Sequence, residues 1–432
     1  MKTNTLKGMK DILPQEQKLR DYVQGKILET YRASGFERIS TPILEDAENL
    51  DKSDGGDNLN LIFKVLKRGE KLNAALANTP VDEKSLSDMG LRYDLTLPLT
   101  RFFAANRANL QFPFKVIQTD RVYRAERPQK GRDREFVQCD IDILGDASCN
   151  AEVELIDVTA RAILNIGFLD TEFTDWLSIN INDRRILRNM LQTMGFAPEA
   201  LDSVCISFDK LDKIGLAGVK AELEAKAFPD KAINNLVNFC SSIPASINDD
   251  NKAEYHFDLK DVLKWCSDPS IGDDLQYIID NVKAISKGKY RIDYCPTLVR
   301  GQGYYTGVVF EIKCTSPFFQ GAIGGGGRYD NLIGKFIGQQ IPAVGFSIGF
   351  ERLCLILSEI SYKIPGAKEK CALLYDEETD FPTVLEAAEK LRADYTVAVL
   401  HKAKKLGPMF DMLEKQSYTK FAQFKNGELT VK

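Results

Sequence analysis

Apolar and polar residues alternate in two short runs, Val122 to Glu126 and Phe136 to Leu144, and the residues between them are strongly cationic. A period of two marks each run as a half-buried strand, so the pair reads as a hairpin. In the first run Val122, Arg124 and Glu126 share a face; in the second Phe136, Gln138, Asp140 and Asp142 share one, while Val137, Cys139, Ile141 and Ile143 point the other way. Arg127, Lys130, Arg132 and Arg134 lie in the connection with Pro128 and Gly131. Such a loop suits gripping and releasing phosphate, and it equally suits the solvated tip of a surface hairpin.

Around this hairpin the pattern changes period. Residues 16 to 33 form an amphipathic helical pattern, followed by Gly35 and a short strand FERIS that leads into Thr41-Pro42-Ile43-Leu44-Glu45. Pro42 removes a ladder donor, which places this strand at a sheet edge or a subunit boundary. A polar loop is expected from Asp54 to Asn60, and a strand over LIFKVLKRG. LRYDLTLPLTRFFAANR passes from an extended segment into a helix with Pro98 in its first turn. Glu152 to Leu164 reads as a helix and WLSININ as a strand. From about Asp183 to Lys287 helical segments follow one another, which predicts a helical insertion. RIDYCPTLVRGQGYYTGVVFEIK restores the strand signal, which continues through the glycine run Gly324 to Gly327, and FERLCLILSEI predicts a helix. After YKIPGAKEK, strand and helix alternate in a last small α/β unit.

Composition narrows the chemistry. A chain of 432 residues exceeds one core, so two or three domains are expected. With a net charge of -5, nucleic-acid contact has to come from local basic patches. No apolar run approaches a membrane span and MKTNTLKGMKDILPQ lacks an apolar signal core, which makes the cytoplasm the expected compartment. The nine cysteines never form a C-x-x-C pair, and the two histidines, His256 and His401, stand apart from other ligands. Zinc, redox and histidine-based general catalysis are therefore not expected, and no metal site built from side chains is predicted.

Four segments, TPILE at 41 to 45, the hairpin at 122 to 144, LVRGQGYYTGVVFE at 298 to 311 and GFSIGFERL at 345 to 353, occur in the order of a known family. Together they resemble the histidyl-tRNA synthetases, which are class II aminoacyl-tRNA synthetases. TPILE matches the first class motif, YRAE with REF the second and GFERL the third; RGQGYY and ERPQKGR match the histidine branch, although RGLDYY is usual where this chain has Gln302 and Gly303. The resemblance implies that Arg124 contacts the amino-acid carboxylate and the α-phosphate of ATP, that Glu126 and Phe136 hold the adenine, and that Arg352 reaches the γ-phosphate. It implies further phosphate contacts at Arg132 and Arg134, and contacts to the tRNA acceptor end at Arg127 and Gln129. Histidine would be held by Asp94, Leu95 and Thr96 in YDLT, by Gln138 and Asp142, and by Arg300, Tyr304 and Tyr305. Arg124, Arg300 and Arg352 are the expected catalytic residues.

The chemistry fits those residue types. Activation joins a carboxylate to the α-phosphate as pyrophosphate leaves, so negative charge has to be neutralised, a task for guanidinium groups with Mg²⁺ bridging phosphate oxygens. An imidazole offers N–H donors to Asp94, Asp142 and a tyrosine hydroxyl, and a pocket of that kind rejects apolar analogues. Each residue also has a plainer reading. Arg300 could pair with a surface carboxylate, Asp94 could only cap the helix after it, Arg352 could be an ordinary exposed residue, the glycine run could be a turn, and Tyr304 and Tyr305 should point to opposite faces.

The expected architecture is α+β: a class II catalytic domain with a mostly antiparallel sheet flanked by helices, over 1–182 and 288–362, a helical insertion over 183–287, and a shortened anticodon-binding-like α/β domain over 368–432. The resemblance implies a homodimeric histidine–tRNA ligase that uses ATP and Mg²⁺, with histidine and tRNA(His) as partners. Two alternatives stand beside it. One is the non-catalytic synthetase-like regulatory subunit of ATP phosphoribosyltransferase, and the other a stand-alone amino-acid ligase.

Overall fold

The computed structural model describes residues 2–51, 60–78, 80–129, 131–168, 177–247, 253–299, 304–315, 320–425 and 428–431. The loop expected at 54–60 lies, apart from Asn60, outside them. The chain divides into two compact units, Met1–Tyr362 and Lys363–Lys432.

The first unit is built on an eight-stranded sheet. Its strands in chain order are β1 (Glu37–Arg38), β2 (Phe114–Tyr123), β3 (Glu135–Leu144), β4 (Leu177–Asp183), β5 (Arg291–Tyr294), β6 (Val308–Thr315), β7 (Gln320–Arg328) and β8 (Ala343–Gly349). Their spatial order is β1-β2-β3-β8-β7-β6-β4-β5. Every pairing from β2 across to β4 is antiparallel, and only the two edge pairings, β1 with β2 and β5 with β4, are parallel. The hairpin predicted from alternation is β2–β3, paired in continuous register from Phe114 opposite Leu144 to Tyr123 opposite Glu135. The strand FERIS shortens to the two residues of β1, at the sheet edge ahead of Pro42.

One sheet face carries the core. Cys139, Ile141 and Ile143 pack there against Val23, Ile27 and Tyr31 of α1 (Pro14–Ala33) and Leu155 and Ile156 of α3 (Asn150–Leu164), with α2 (Thr96–Asn106) lying between them in sequence. Val23, Ile27 and Tyr31 are four residues apart, which sets them on one helical stripe. Each such side chain contributes about 1.5–3 kcal/mol by leaving water. The helices between Arg184 and Ser286 bury Ile186, Met190, Leu236 and Ile278 in this same cluster, so their apolar faces extend the core. Asp183 starts that run by accepting the Arg185 backbone N–H at 2.8 Å, and Gly195, at φ 108°, ends its first helix.

One expectation changes. RIDYCPTLVRGQGYYTGVVFEIK is not one strand: β5 stops at Tyr294, before Pro296, and β6 begins only at Val308. The proline removes a ladder donor at the point where pairing ends. The strand signal through the glycine run is borne out, and the alternative of a turn falls. Gly324 to Gly327 form the middle of β7, paired with β6 and β8. A Cβ on Gly326 would come within 1.9 Å of the Gly345 carbonyl oxygen, so only glycine allows this approach of backbones.

The second unit is a four-stranded sheet of β9 (Lys370–Tyr375), β10 (Thr396–His401), β11 (Tyr418–Lys425) and β12 (Glu428–Val431), in the order β10-β9-β11-β12. Its helix Phe381–Leu391 buries Val384, Ala388 and Leu391 with Cys371 and Leu373 of β9.

Candidate active site

The polar face of β3 forms the floor of a cavity of about 400 Å³. Alternation brings Phe136, Gln138, Asp140 and Asp142 to it while Cys139, Ile141 and Ile143 fill the core behind. Gln138 donates from Nε2 to the Ser347 hydroxyl at 3.1 Å. Tyr329 donates its hydroxyl to Asp142 Oδ1 at 2.6 Å. Gly345, opposite Asp142 on β8, has no room for a side chain, since a Cβ there would lie 1.9 Å from that same oxygen.

The walls come from other segments. Asp94 precedes α2 and accepts the Leu97 backbone N–H at 3.3 Å, so it does cap the helix, and it also lines the cavity with Thr96. Leu95 is fully buried and its carbonyl accepts from Gln118 Nε2 at 2.8 Å, which leaves its side chain away from the cavity. Arg124 donates from Nε to the Tyr93 carbonyl at 3.0 Å and lays its guanidinium over the Phe136 ring, 5.1 Å from the centroid. Arg352, in the first turn of α4 (Phe350–Glu359), lines the opposite side and donates to the Ala322 carbonyl. Gly324, Gly325 and Gly326 present backbone to the same space.

Tyr304 and Tyr305 both line the cavity, with ring centroids 4.8 Å apart. The expectation of opposite faces fails because the pair lies outside any strand, where alternation does not apply. Glu126 and Arg132 reach the cavity at the mouth of the hairpin and stand 4.0 Å from one another. Arg134 does not: it donates to the carbonyls of Glu126 and Lys7 at 3.0 and 3.3 Å, tying the loop to the N-terminal segment. Arg127 and Gln129 are exposed on the loop, where Gln129 and Arg132 exchange backbone hydrogen bonds. Arg300, Gln302, Gly303 and Lys130 lie outside the described residues.

Burial dominates the electrostatics. It raises Asp94 to about 6, opposed by the Leu97 N–H and the charge of Arg124. It raises Asp142 to about 7, against the Tyr329 hydroxyl and assisted by the charge of Asp94. Asp140 is pushed well above the carboxylate range by burial and then by the neighbouring Asp142 charge. Asp94 Oδ2, Gln138 Oε1 and Asp140 Oδ1 are buried without a hydrogen-bond partner among the described residues. Three acceptors facing one cavity suit a ligand rich in N–H donors. Pattern reading placed Asp140 on the right face without assigning it a role. It passed over Tyr329, beside the glycine run, Ser347, in GFSIGFER, and Glu311, although all three line the cavity.

A mostly antiparallel sheet with an arginine-bearing hairpin, and a second arginine in the first turn of the helix that follows its last strand, mark a class II aminoacyl-tRNA synthetase. The family model for histidyl-tRNA synthetase matches residues 8–353. The histidine–tRNA ligase of Leifsonia xyli subsp. xyli is 40% identical, over 96% of this chain and 94% of that relative. That of Christiangramia forsetii is 33% identical over 95% and 90%. The crystal structure of histidyl-tRNA synthetase from Nostoc sp. PCC 7120 superposes with a TM-score of 0.76 at 26% identity, covering 100% of this chain and 97% of that one. A Bacillus halodurans structure described as an ATP phosphoribosyltransferase regulatory subunit/histidyl-tRNA synthetase has a TM-score of 0.74 at 19% identity, a likeness of fold alone. The chain belongs to the histidyl-tRNA synthetase family and is a histidine–tRNA ligase. Among the described residues no helix is long and apolar enough to cross a membrane.

Proposed function

We propose that the cavity holds histidine and ATP side by side, forms histidyl-adenylate there, and passes the histidyl group to tRNA(His). The observation that carries this is the division of the cavity into an acidic floor, Asp94, Gln138, Asp140 and Asp142, and a cationic rim, Arg124, Arg132 and Arg352. Histidine brings an ammonium group and ring N–H donors to the floor; its carboxylate meets Arg124. That carboxylate oxygen attacks the α-phosphorus and the bond to the β-phosphate breaks, releasing pyrophosphate. Arg124, already fixed by Tyr93 and stacked on Phe136, neutralises charge growing on the α-phosphate without reorganising. Phe136 and Glu126 take the adenine, and Arg352 and Arg132 the outer phosphates. Arg300 belongs to the same proposal as a third catalytic cation. In the second step the 3′-terminal ribose hydroxyl of tRNA attacks the histidyl carbonyl carbon and AMP leaves, with Arg127 and Gln129 at the acceptor end.

Glu311 brings a carboxylate to the cavity wall, the donor type that would hold Mg²⁺. Bound with ATP, Mg²⁺ would supply charge neutralisation on the phosphate oxygens. Ile43 and Leu44, both exposed after Pro42, support a homodimer through the first motif. The cytoplasm, where tRNA is charged for translation, is the compartment proposed with this reading. The test is charging of tRNA with labelled amino acids: histidine alone should be esterified in an ATP-dependent manner. Charging with another amino acid, or none from folded protein, would overturn the reading.

A further inference from the structure

One buried ionisable group counted above in the acidic floor has no contact of its own assigned to it. Asp140 lies between Gln138 and Asp142 on β3 and is 5% exposed. It faces the cavity, and its Oδ1 has no hydrogen-bond partner among the described residues. Across the sheet it sits in register with Ser347 on β8 and Gln118 on β2. The Ser347 hydroxyl hydrogen-bonds its carboxyl, whereas Gln118 donates elsewhere, to the Leu95 carbonyl at 2.8 Å. The charged groups that act on it are Asp142 and Asp94, which oppose its ionisation, and Arg124, which favours it.

A buried carboxylate oxygen aimed into a cavity is stable only if something supplies a donor there. Asp142 already receives one, from the Tyr329 hydroxyl, whereas Gln138 spends its Nε2 on Ser347 and leaves Oε1 as a second unfilled acceptor beside Asp140. A structural role alone would be met by a neutral side chain accepting from Ser347. The floor instead gathers three carboxylates around one arginine, an excess of negative charge that an amino acid with a cationic nitrogen offsets.

We propose that Asp140 is a further substrate-recognition residue, receiving an N–H of a cationic nitrogen of the bound amino acid and so selecting for that charge. The inference rests on the reading that this cavity binds histidine. It adds a third carboxylate to the two expected from the motif pattern. Because a cation lowers the proton affinity of an acid it contacts, binding favours the ionised form of Asp140 against the burial that opposes it, and draws off any proton held there.

The test is calorimetric titration of histidine into the full-length protein at pH 7, in two buffers of different ionisation enthalpy, for wild type and Asp140→Asn. Wild type should bind with proton release. Asp140→Asn should bind histidine at least tenfold more weakly and release fewer protons, while the KM for ATP stays within about twofold. Asp140→Ser provides the same comparison if the Asn protein does not fold. Wild-type binding with neither affinity nor proton count changed in a folded variant overturns the Asp140 assignment alone. Absence of histidine binding by folded wild-type protein overturns that assignment and the reading of the cavity together.

Discussion

Arg20→Met should be among the most destabilising single changes in the first unit. Arg20 is 8% exposed and grips Glu351 bidentately, Nη1 to Oε2 at 2.6 Å and Nη2 to Oε1 at 2.7 Å. Glu351 also accepts the Val137 backbone N–H at 3.1 Å, so one carboxylate joins α1, β3 and the first turn of α4. Methionine keeps most of the packing volume and leaves Glu351 buried without its cation. Removing one partner of such a pair costs about 3–5 kcal/mol. Burial works to raise the Glu351 carboxyl, but the Arg20 hydrogen bonds and charge outweigh it and hold the group below its usual range. A group depressed on folding stabilises above its unfolded value and loses that contribution as pH falls through the folded one. The wild-type advantage should therefore be full at pH 7 and shrink below about pH 4. Urea denaturation followed by tryptophan fluorescence reads it, because Trp265, one of the two tryptophans, packs on the same core. A difference below about 1 kcal/mol at pH 7 would put the pair in the range of surface ion pairs and refute the reasoning.

Gly345→Ala would drive Asp142 off the cavity floor, because the new Cβ lies 1.9 Å from its Oδ1. Loss of a hydrogen bond to a charged group, about 1.5–3 kcal/mol, predicts a rise in the histidine KM of about tenfold to a hundredfold, with the ATP KM nearly constant. Arg300→Ala should abolish pyrophosphate exchange with little effect on the urea midpoint; a fully active variant would remove Arg300 from the mechanism. Asp94 and Asp142, raised to about 6 and about 7, are both ionised only above neutrality. Lowering the pH from 8 to 5.5 should therefore weaken histidine binding, and a flat profile would contradict the acidic floor. The same raised values make the ligand-free protein gain stability from these two groups as pH falls through that window, which denaturation in the absence of histidine would show.

The hairpin and its two faces were legible because alternation is a local property: Cys139, Ile141 and Ile143 had to be buried if Gln138, Asp140 and Asp142 were not. The start of α2 was legible from Asp94 and Pro98 for the same reason. Tyr304 and Tyr305 were misjudged because a period of two was carried through Pro296 into a segment outside the ladder. The strand through the glycine run was legible by continuity with the run before it, but its reason was not, since a strand of glycines makes sense only against the partner that crowds it, here Gly345. Leu95 sits within the YDLT motif yet faces the core, and Arg134 spends its donors on the carbonyls of Glu126 and Lys7. Neither fact is encoded near those residues. The Arg20–Glu351 pair spans 331 positions, beyond the reach of any local pattern.

The central claim is that the arginine-rimmed, acid-floored cavity activates histidine. Its most direct test is isotope exchange between pyrophosphate and ATP, measured with each amino acid in turn for wild type and Arg124→Ala. The account predicts exchange that depends strictly on histidine and is lost in folded Arg124→Ala. Exchange that proceeds without histidine, or survives that substitution undiminished, would contradict it.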